Sequence, residues 1–531
     1  MPLIQSIKPN MKVDMSRRRT TSAIAASAMA SALLLTSCSG AGTASVGEPA
    51  GEPQRGGTIN YSFNTEPQSV DPATCAIGTG LAPCQAVFGA LMYYDIESGE
   101  FEPGMAESLT TEDGQTWILE LRPNMTFTDG TPFDAAAVAF NWQRILDPAL
   151  LSSSAVTAKS ISWEVIDPQT VKITADKVNH QLPLSFTEDL AFIGSPTAIA
   201  AKGPDFGNSP VGAGPFTLTS WSRGSEMVLD RNPNYWDQPR PYVDRVVMKT
   251  IAADDQRFNA LQAGELDIMA VTLQKYADRA EAAGLKVTAA NLMGGGGVRI
   301  ANRGALADQD VRDAVGKLID NEQIVAAVYS GEPVATAFSP ENSPLYDPEA
   351  TWPERDVAGA QKLIDGYRAR NGGQDIVLKY VTVAGSPVLA QVSELLQAQL
   401  QAVNGLKLEI AAFDGGAFAS AMTGGNYDLI VSSLGGANPE RLYKVFHTNG
   451  SSNNSGYSNP VVDQALDITH SSNDPAEVEE AYKTAIRELV DTSAYRFWLH
   501  AVTRMLTAQD VNGVEVAYQY WFRPELAWIQ Q

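Results

Sequence analysis

Two different spacings of apolar residues divide the chain into parts with different predicted elements. Apolar and polar residues alternate at residues 57–63 and 116–122, and this period of two predicts strands. Residues 135–145 carry apolar residues at helical spacing, and residues 165–173 form a further predicted strand with a turn inside it. The pattern therefore predicts a mixed α+β block over residues 95–205.

In the second half of the chain, predicted strands and helices alternate. Strands are expected at residues 376–383, 406–411 and 427–433, and helices at residues 388–400 and 417–422 separate them. A strand, helix, strand, helix, strand order predicts a parallel sheet with right-handed crossovers. The fold class is therefore α/β.

Ligands on such sheets bind beyond the carboxyl ends of the strands. The loops at residues 384–386 and 434–438 follow two of the predicted strands, so they are candidate ligand walls. Ser386 and Pro387 are predicted to be the N-cap and the first-turn residue of the helix that follows.

The C-terminal segment, residues 494–531, is rich in aromatic residues that an isolated tail could not bury. We expect it to return to an earlier part of the chain and to pack its rings there. These aromatic residues are Trp498, Tyr518, Tyr520, Trp521 and Trp528.

Residues 1–37 have the pattern of a secretory signal. Three arginines at 17–19 precede a short apolar segment at 23–35, and two small residues then precede Cys38. This order predicts a bacterial lipoprotein signal peptide that is cut before Cys38, whose sulfur then carries lipid. The alternatives are a transmembrane helix, which needs about 20 apolar residues, and a buried cysteine. Residues 38–55 are rich in Gly, Ala, Ser and Pro and predict a flexible linker.

Length and charge limit the possible classes of protein. The chain has 531 residues, which is more than one hydrophobic core usually supports, so two or more lobes are expected. Its net charge is −23, and the signal carries five basic residues and one acidic residue, so the mature chain is more acidic still. Nucleic acid and anionic lipid surfaces are therefore poor partners.

After Cys38, two cysteines remain, Cys75 and Cys84. A pair of cysteines in an exported chain favours a disulfide, which would stabilise the fold by about 2 to 3 kcal/mol. Two buried free thiols are the alternative, and a metal site fits less well because a tetrahedral ion needs four ligands.

No motif for phosphate binding, zinc binding or an activated serine is present, and the four histidines show no metal-ligand spacing. We therefore predict no cofactor, and a hydrolase that uses carboxylates stays an alternative. The four glycines at residues 294–297 have two interpretations. They form either a flexible surface loop or a backbone segment between lobes, where glycine permits close approach and hinge rotation.

Eight short motifs, in a fixed order across the mature chain, resemble one family. They are SVDP at 69–72, EPGMAE at 102–107, DGQTW at 113–117, LRPN at 121–124, FTDGTP at 127–132, VGAGPF at 211–216, RNPNYW at 231–236 and DVRDA at 310–314. From residue 56 to near the C-terminus the chain resembles the family 5 extracellular solute-binding proteins of ABC importers, which include dipeptide-, oligopeptide- and nickel-binding lipoproteins.

This resemblance implies a two-lobed periplasmic-binding-protein-like fold (type II, cluster C) with an additional α+β domain in the first lobe. Lobe I would comprise residues 56–94, 209–297 and 495–531, with the additional domain at 95–208 and lobe II at 298–494.

The resemblance also implies a non-enzymatic, monomeric receptor, lipid-anchored at the outer face of the cytoplasmic membrane. It would capture a peptide or another small polar solute and deliver it to ABC permease and ATPase subunits. The partner subunits would hydrolyse ATP, which accounts for the missing phosphate-binding motif. Alternative solutes are an opine, an oligosaccharide, a metal chelate or heme, and alternatives of another class are an exported hydrolase and a sensory lipoprotein.

The chain departs from the family where peptide-binding members place an aspartate against the free amino group of the peptide. The position follows the strand predicted at 427–433, and here the residues are Gly435, Gly436, Ala437 and Asn438. Without this anion the charge-assisted bond to an ammonium group is lost.

Three charged residues are candidates for ligand contact in its place. Glu440 or Glu66 would supply a negative charge, and Arg441 would pair with a carboxylate or phosphate of an acidic ligand. A solvated turn residue is the alternative for Glu66, and a surface salt bridge is the alternative for Arg441.

Overall fold

A computed structural model gives the structure of residues 51–75, 80–96, 98–436, 438–518 and 521–531. The predicted signal peptide, Cys38, Ala437 and Tyr520 lie outside these described residues. Within the described ranges, no helix combines the length and the apolar character needed to cross a membrane.

The strands of the described residues are numbered in chain order. They are β1 (Thr58–Phe63), β2 (Met92–Tyr94), β3 (Phe101–Pro103), β4 (Ala106–Thr111), β5 (Thr116–Leu121), β6 (Ile161–Val165), β7 (Thr170–Ala175), β8 (Phe216–Ser222), β9 (Glu226–Arg231), β10 (Arg245–Thr250), β11 (Ile268–Val271), β12 (Lys286–Ile300), β13 (Ile376–Val383), β14 (Leu406–Phe413), β15 (Leu429–Ser433), β16 (Tyr495–Thr507), β17 (Val511–Asn512), β18 (Val516–Tyr518), β19 (Trp521–Phe522) and β20 (Trp528–Ile529).

The α-helices are numbered in the same way. They are α1 (Leu81–Phe88), α2 (Ala135–Ile145), α3 (Ala155–Lys159), α4 (Pro196–Lys202), α5 (Asp254–Gln262), α6 (Gln274–Ala282), α7 (Gln309–Leu318), α8 (Asn321–Val328), α9 (Val357–Arg370), α10 (Pro387–Leu400), α11 (Gly415–Thr423), α12 (Glu440–Phe446), α13 (Pro460–Ser471) and α14 (Pro475–Asp491). Short 3-10 helices lie at Pro148–Leu150, Leu182–Phe186, Gly203–Asn208 and Gly304–Ala307.

Ten of the strands form one mixed sheet in the order β14-β13-β15-β12-β16-β11-β1-β10-β9-β8. The first half of this sheet comprises β11, β1, β10, β9 and β8, and the second half comprises β14, β13 and β15. We use "first half" and "second half" for these strands and the helices that pack on them. Between the halves lie the two long strands β12 and β16.

The second half confirms the predicted parallel arrangement. β13 pairs in parallel with β14 and with β15, and α10 and α11 connect these strands. Ser386 caps α10, because its side chain accepts a hydrogen bond from the Leu389 N–H, and Pro387 is the first helical residue. The carboxyl ends of β13 and β15 therefore lie at one edge of the sheet.

β12 and β16 run antiparallel across both halves. The early part of β12 pairs with the late part of β16, and after a register shift Gly295 pairs with His500. β12 then continues beside β15, while β16 pairs with β11 at its far end. These two strands therefore carry the sheet from one half into the other.

The C-terminal segment divides between the two halves. The ring of Trp521 lies 5.4 Å from that of Tyr61, and Trp521 packs in the core of the first half. Trp498, at the start of β16, instead packs in the core of the second half with Val298 and Tyr380. The expected return of aromatic residues to an earlier part of the chain is therefore seen at Trp521.

A second sheet, in the order β4-β5-β7-β6, forms the α+β block that was expected between residues 95 and 205. Its core contains Trp117, Ile173 and the fully buried Trp142 of α2. The turn predicted inside residues 165–173 is present, but it separates two strands instead of interrupting one. Asp167 accepts hydrogen bonds from the N–H groups of the two residues that follow Pro168, which stabilises a turn, so the segment becomes the hairpin β6–β7.

Cys75 and Cys84 are joined by a disulfide, with Cα atoms 6.1 Å apart. Both residues are completely buried in the core of the first half. The bond joins the segment after β1 to α1, as expected for an exported chain.

Candidate ligand-binding site

The loop after β15 is hydrogen-bonded to the glycine segment of β12. The Leu434 N–H donates to the Gly295 carbonyl at 3.0 Å, and the Met293 N–H donates to the Gly436 carbonyl at 3.0 Å. A Cβ atom at Gly294 would overlap the carbonyl oxygen of Leu434. The surface-loop interpretation of residues 294–297 is therefore wrong, and the close backbone approach of the other interpretation is confirmed, whereas its hinge rotation stays a prediction.

Asn438 connects this loop to the α+β block. Its side chain accepts a hydrogen bond from the Glu440 N–H at 3.2 Å and donates to Glu188 Oε1 at 3.4 Å. Asn438 is 9% exposed, so this amide is held in one orientation at the junction. The second half thereby contacts the block between residues 95 and 205.

Glu440 is paired within the second half. Its carboxylate lies 2.8 Å from His470 Nε2, and both side chains are largely buried. The ring of Tyr443 stacks between His447 and His470, at 4.4 Å and 3.9 Å between centroids. Burial and nearby carboxylates raise the pKa of Tyr443 to about 12. The carboxylate of Glu440 therefore already has a side-chain partner within its own half.

Arg441 differs from Glu440 because its Nε atom is buried without a hydrogen-bond partner among the described residues. Its Cδ lies 3.4 Å from the place that a Cβ of Gly436 would occupy. The small residue therefore leaves room for the arginine stem beside the loop.

Glu66 lies after β1 in the first half, where both of its carboxylate oxygens accept hydrogen bonds. Oε1 accepts from Trp221 Nε1 at 2.6 Å, and Oε2 accepts from the Gly224 N–H at 3.0 Å. Arg223 stacks over the ring of Trp221 at 3.4 Å. Glu66 therefore ties the β8–β9 hairpin to the segment after β1 and is more than a solvated turn residue.

Two neighbouring cavities lie beside this junction, with volumes of about 290 Å³ and about 40 Å³. Both are lined by Tyr94, Ala517 and Arg523. The larger also contacts residues 288–290 of β12, and the smaller contacts Glu188. Asn438 therefore brings the second half to the rim of the smaller cavity through Glu188.

Arg523 is the cation of the cavity wall. It pairs with Glu102 at 2.6 Å and with the buried Glu525 at 2.9 Å, and its guanidinium lies 4.2 Å from the centre of the Tyr93 ring. Burial lowers the pKa of Arg523, but the negative charge of Glu525 outweighs this effect and raises it. Arg523 is therefore charged and fully compensated by carboxylates.

The larger cavity is acidic, because Asp95, Glu102 and Glu515 line it together with Arg523. Burial and the charge of Asp95 raise the pKa of Tyr94. None of these residues was predicted as a site residue, although Glu102 begins the EPGMAE motif, because Arg523 and Glu102 are 421 positions apart. Among the described residues, the predicted Glu66, Gly435, Gly436, Glu440 and Arg441 do not line either cavity.

Two halves of a sheet joined by β12 and β16, with a cavity beside their junction, form the arrangement of a two-lobed periplasmic-binding-protein-like fold. Residues 100–456 match the model of the bacterial extracellular solute-binding proteins, family 5 Middle, and the chain belongs to this family. It is thus an extracytoplasmic substrate-binding protein of the ABC-importer type.

Individual relatives cover most of the chain. Protein XP55 of Streptomyces lividans is 27% identical over 493 residues, which are 87% of this chain and 87% of that protein. The glutathione-binding protein GsiB of Escherichia coli O1:K1 is 26% identical over 452 residues, or 79% of this chain and 83% of that protein. The oligopeptide-binding protein AppA from Bacillus subtilis, solved with a nonapeptide, has a TM-score of 0.76 at 20% identity and covers 90% of this chain and 100% of its own.

Proposed function

We propose that this protein captures peptides or peptide-like solutes between its two lobes and delivers them to the membrane permease of an ABC importer. The observation that carries the proposal is the pair of cavities beside the junction, where Asn438 of the second half contacts Glu188. The similarity to a glutathione-binding protein supports a peptide-like solute. The lobes of this proposal are residues 56–94, 209–297 and 495–531 for the first and 298–494 for the second, with 95–208 as the additional domain.

Closure over the solute requires contacts from both lobes. A ligand that touches one lobe equally in the open and closed states shifts no population between them. In the proposed site Tyr94 and Arg523 form the wall from the first lobe, Asn438 approaches from the loop of the second, and Arg441 follows in the first turn of α12. Such a solute-binding protein catalyses no reaction, so the bound solute leaves unchanged.

Among the site residues proposed from the sequence, Arg441 has the best support. A buried Nε without a partner among the described residues is available to a carboxylate or phosphate oxygen, and a charge-assisted hydrogen bond to an anion would satisfy it. Glu440 has weaker support, because its carboxylate already has His470 as a partner at 2.8 Å. Glu66, Gly435, Gly436 and Ala437 stay candidate contacts of the ligand.

A lipid on Cys38 would hold the protein at the outer face of the cytoplasmic membrane, as a monomer within reach of its permease. The support is the order of basic, apolar and small residues before Cys38. Residues 39–54 would act as a flexible tether.

Mass spectrometry of the full chain, purified from its membrane fraction, tests both parts of the proposal. We expect a copurifying peptide or peptide-like solute, unchanged after prolonged incubation, and an intact mass that fits cleavage before Cys38 plus lipid. Arg441→Met should reduce the amount of bound solute, whereas Arg370→Met should not, because Arg370 is half exposed and pairs with Asp308 and Asp310. Recovery of an opine, a sugar, a metal chelate or a heme would overturn the peptide assignment, and turnover of the solute would overturn the receptor assignment.

A further inference from the structure

Asn438, which precedes α12, and Lys444, which lies within it, contact two consecutive residues of the α+β block. Lys444 Nζ donates to Asp189 Oδ2 at 2.9 Å, and Asn438 Nδ2 donates to Glu188 Oε1 at 3.4 Å. The partners are 255 and 250 positions apart in the chain. We propose that Glu188 and Asp189 form the surface on which the second half closes, and that Lys444 and Asn438 are positioning residues that hold the closed form.

Asp189 is held in place by its own block before Lys444 approaches it. The Thr157 hydroxyl donates to the same Oδ2 atom at 2.7 Å. The Asp189 side chain is 14% exposed and that of Lys444 is 32% exposed, so the pair is partly shielded from water. An acceptor that is already oriented loses little side-chain entropy when the pair forms, which favours the contact.

The surroundings of Lys444 keep it charged. Burial lowers its pKa, but the negative charges of Asp189, Glu440 and Glu188 outweigh burial and raise it. An ammonium group at this point therefore relieves repulsion between carboxylates of the two sides, and removing it would leave these acids facing one another.

A third contact joins the second half to the α+β block. The backbone N–H of His180 in the α+β block donates to the carbonyl of His470 in α13 at 2.7 Å. Neither β12 nor β16 takes part in these contacts, although those strands provide the continuous link between the halves. A rotation about the two strands can therefore break the contacts while the sheet stays intact.

The pair between Lys444 and Asp189 acts on the solute indirectly. Among the described residues, Glu188 lines the smaller cavity, whereas Asp189 and Lys444 line neither cavity. The pair therefore changes affinity by changing the fraction of molecules that are closed. This role rests on the proposed function, but closure itself can be measured without any solute.

The test uses spin labels on the full chain at Val156→Cys in α3 and Val461→Cys in α13, which are 52% and 48% exposed. The distance between the labels is measured without solute in the background variant and with Lys444→Met, Asp189→Asn or both added. We expect either substitution to shift the distribution to longer distances, and the double variant to match the single variants because the two side chains act through one contact. Lys483→Met is the matched control, since Lys483 pairs only with Glu479 on the same helix, α14, in the salt bridges described.

An unchanged distance distribution in Lys444→Met would overturn the proposal, and so would additive shifts in the double variant. A shift of equal size in Lys483→Met would overturn it as well. Since no solute is present, this result is independent of the copurification test of the proposed function.

Discussion

At the scale of single residues, one sequence motif has a clear structural role. Asp71, in the SVDP motif, pairs through both carboxylate oxygens with Arg144 of α2, at 2.6 Å and 2.7 Å. The two side chains are 11% and 15% exposed. The pair joins the segment after β1 to the α+β block, so this motif stabilises the packing of that segment against α2.

We expect Arg144→Met to lower the free energy of unfolding by about 3 kcal/mol, because it leaves the carboxylate of Asp71 buried without its partner. Urea unfolding at neutral pH measures the change. Arg245→Met is the matched control, since its pair with Asp230 is 48% and 36% exposed and should contribute about 1 kcal/mol or less. Equal losses in the two variants would contradict the assignment of a buried pair.

At the scale of elements, the glycines of β12 set how closely β16 and the loop after β15 approach. A Cβ atom at Gly297 would overlap the carbonyl oxygen of Arg496, whereas a Cβ at Gly296 has no atom within 4 Å. Only the tertiary structure separates these two neighbours, because the sequence presents four identical residues in a row. The sequence left a surface loop and a close backbone approach both open, and the fold decided which positions require glycine.

Gly297→Ala should therefore destabilise the protein by about 1 to 3 kcal/mol, because the added methyl group forces β12 and β16 apart. Gly296→Ala should change the free energy of unfolding little. Thermal unfolding of the two variants side by side provides the measurement, and a larger loss in Gly296→Ala would contradict the strand register.

At the scale of the whole molecule, a second link between the halves lies near the two long strands β12 and β16. Arg504 of β16 approaches the buried Glu332 at 3.9 Å and also donates to the Thr272 carbonyl. The Gln274 N–H donates to the same glutamate. Burial raises the pKa of Glu332, and the hydrogen bond from Gln274 and the charge of Arg504 counteract this rise.

Arg504→Met should raise the pKa of Glu332 further and destabilise the protein more at pH 7.5 than at pH 4.5. A carboxyl group whose folded-state pKa lies above the unfolded value contributes most below the unfolded pKa, and this contribution is lost as pH rises through the folded-state pKa. The free energy of unfolding of both proteins at the two pH values tests the sign. A difference from the parent protein that does not grow with pH would contradict a role for the charge of Glu332.

The sequence by itself determined features that depend on neighbouring residues. The Ser386 and Pro387 start of α10 and the apolar run of β15 follow from local spacing and capping, and the three strands with their connecting helices were predicted in the correct order. The disulfide between Cys75 and Cys84 follows from their number in an exported chain. These predictions succeeded because each rests on groups that are close along the chain.

Only the tertiary structure decided the composition of the candidate site. Arg523 meets Glu102, and Lys444 meets Asp189, across 421 and 255 positions of sequence. The tertiary structure also showed that the carboxylate of Glu440 lies against His470, while the Nε atom of Arg441 is buried without a partner among the described residues. Spacing along the chain carries no signal for such pairs, because they form only when the folded backbone brings distant elements together and removes water from between them.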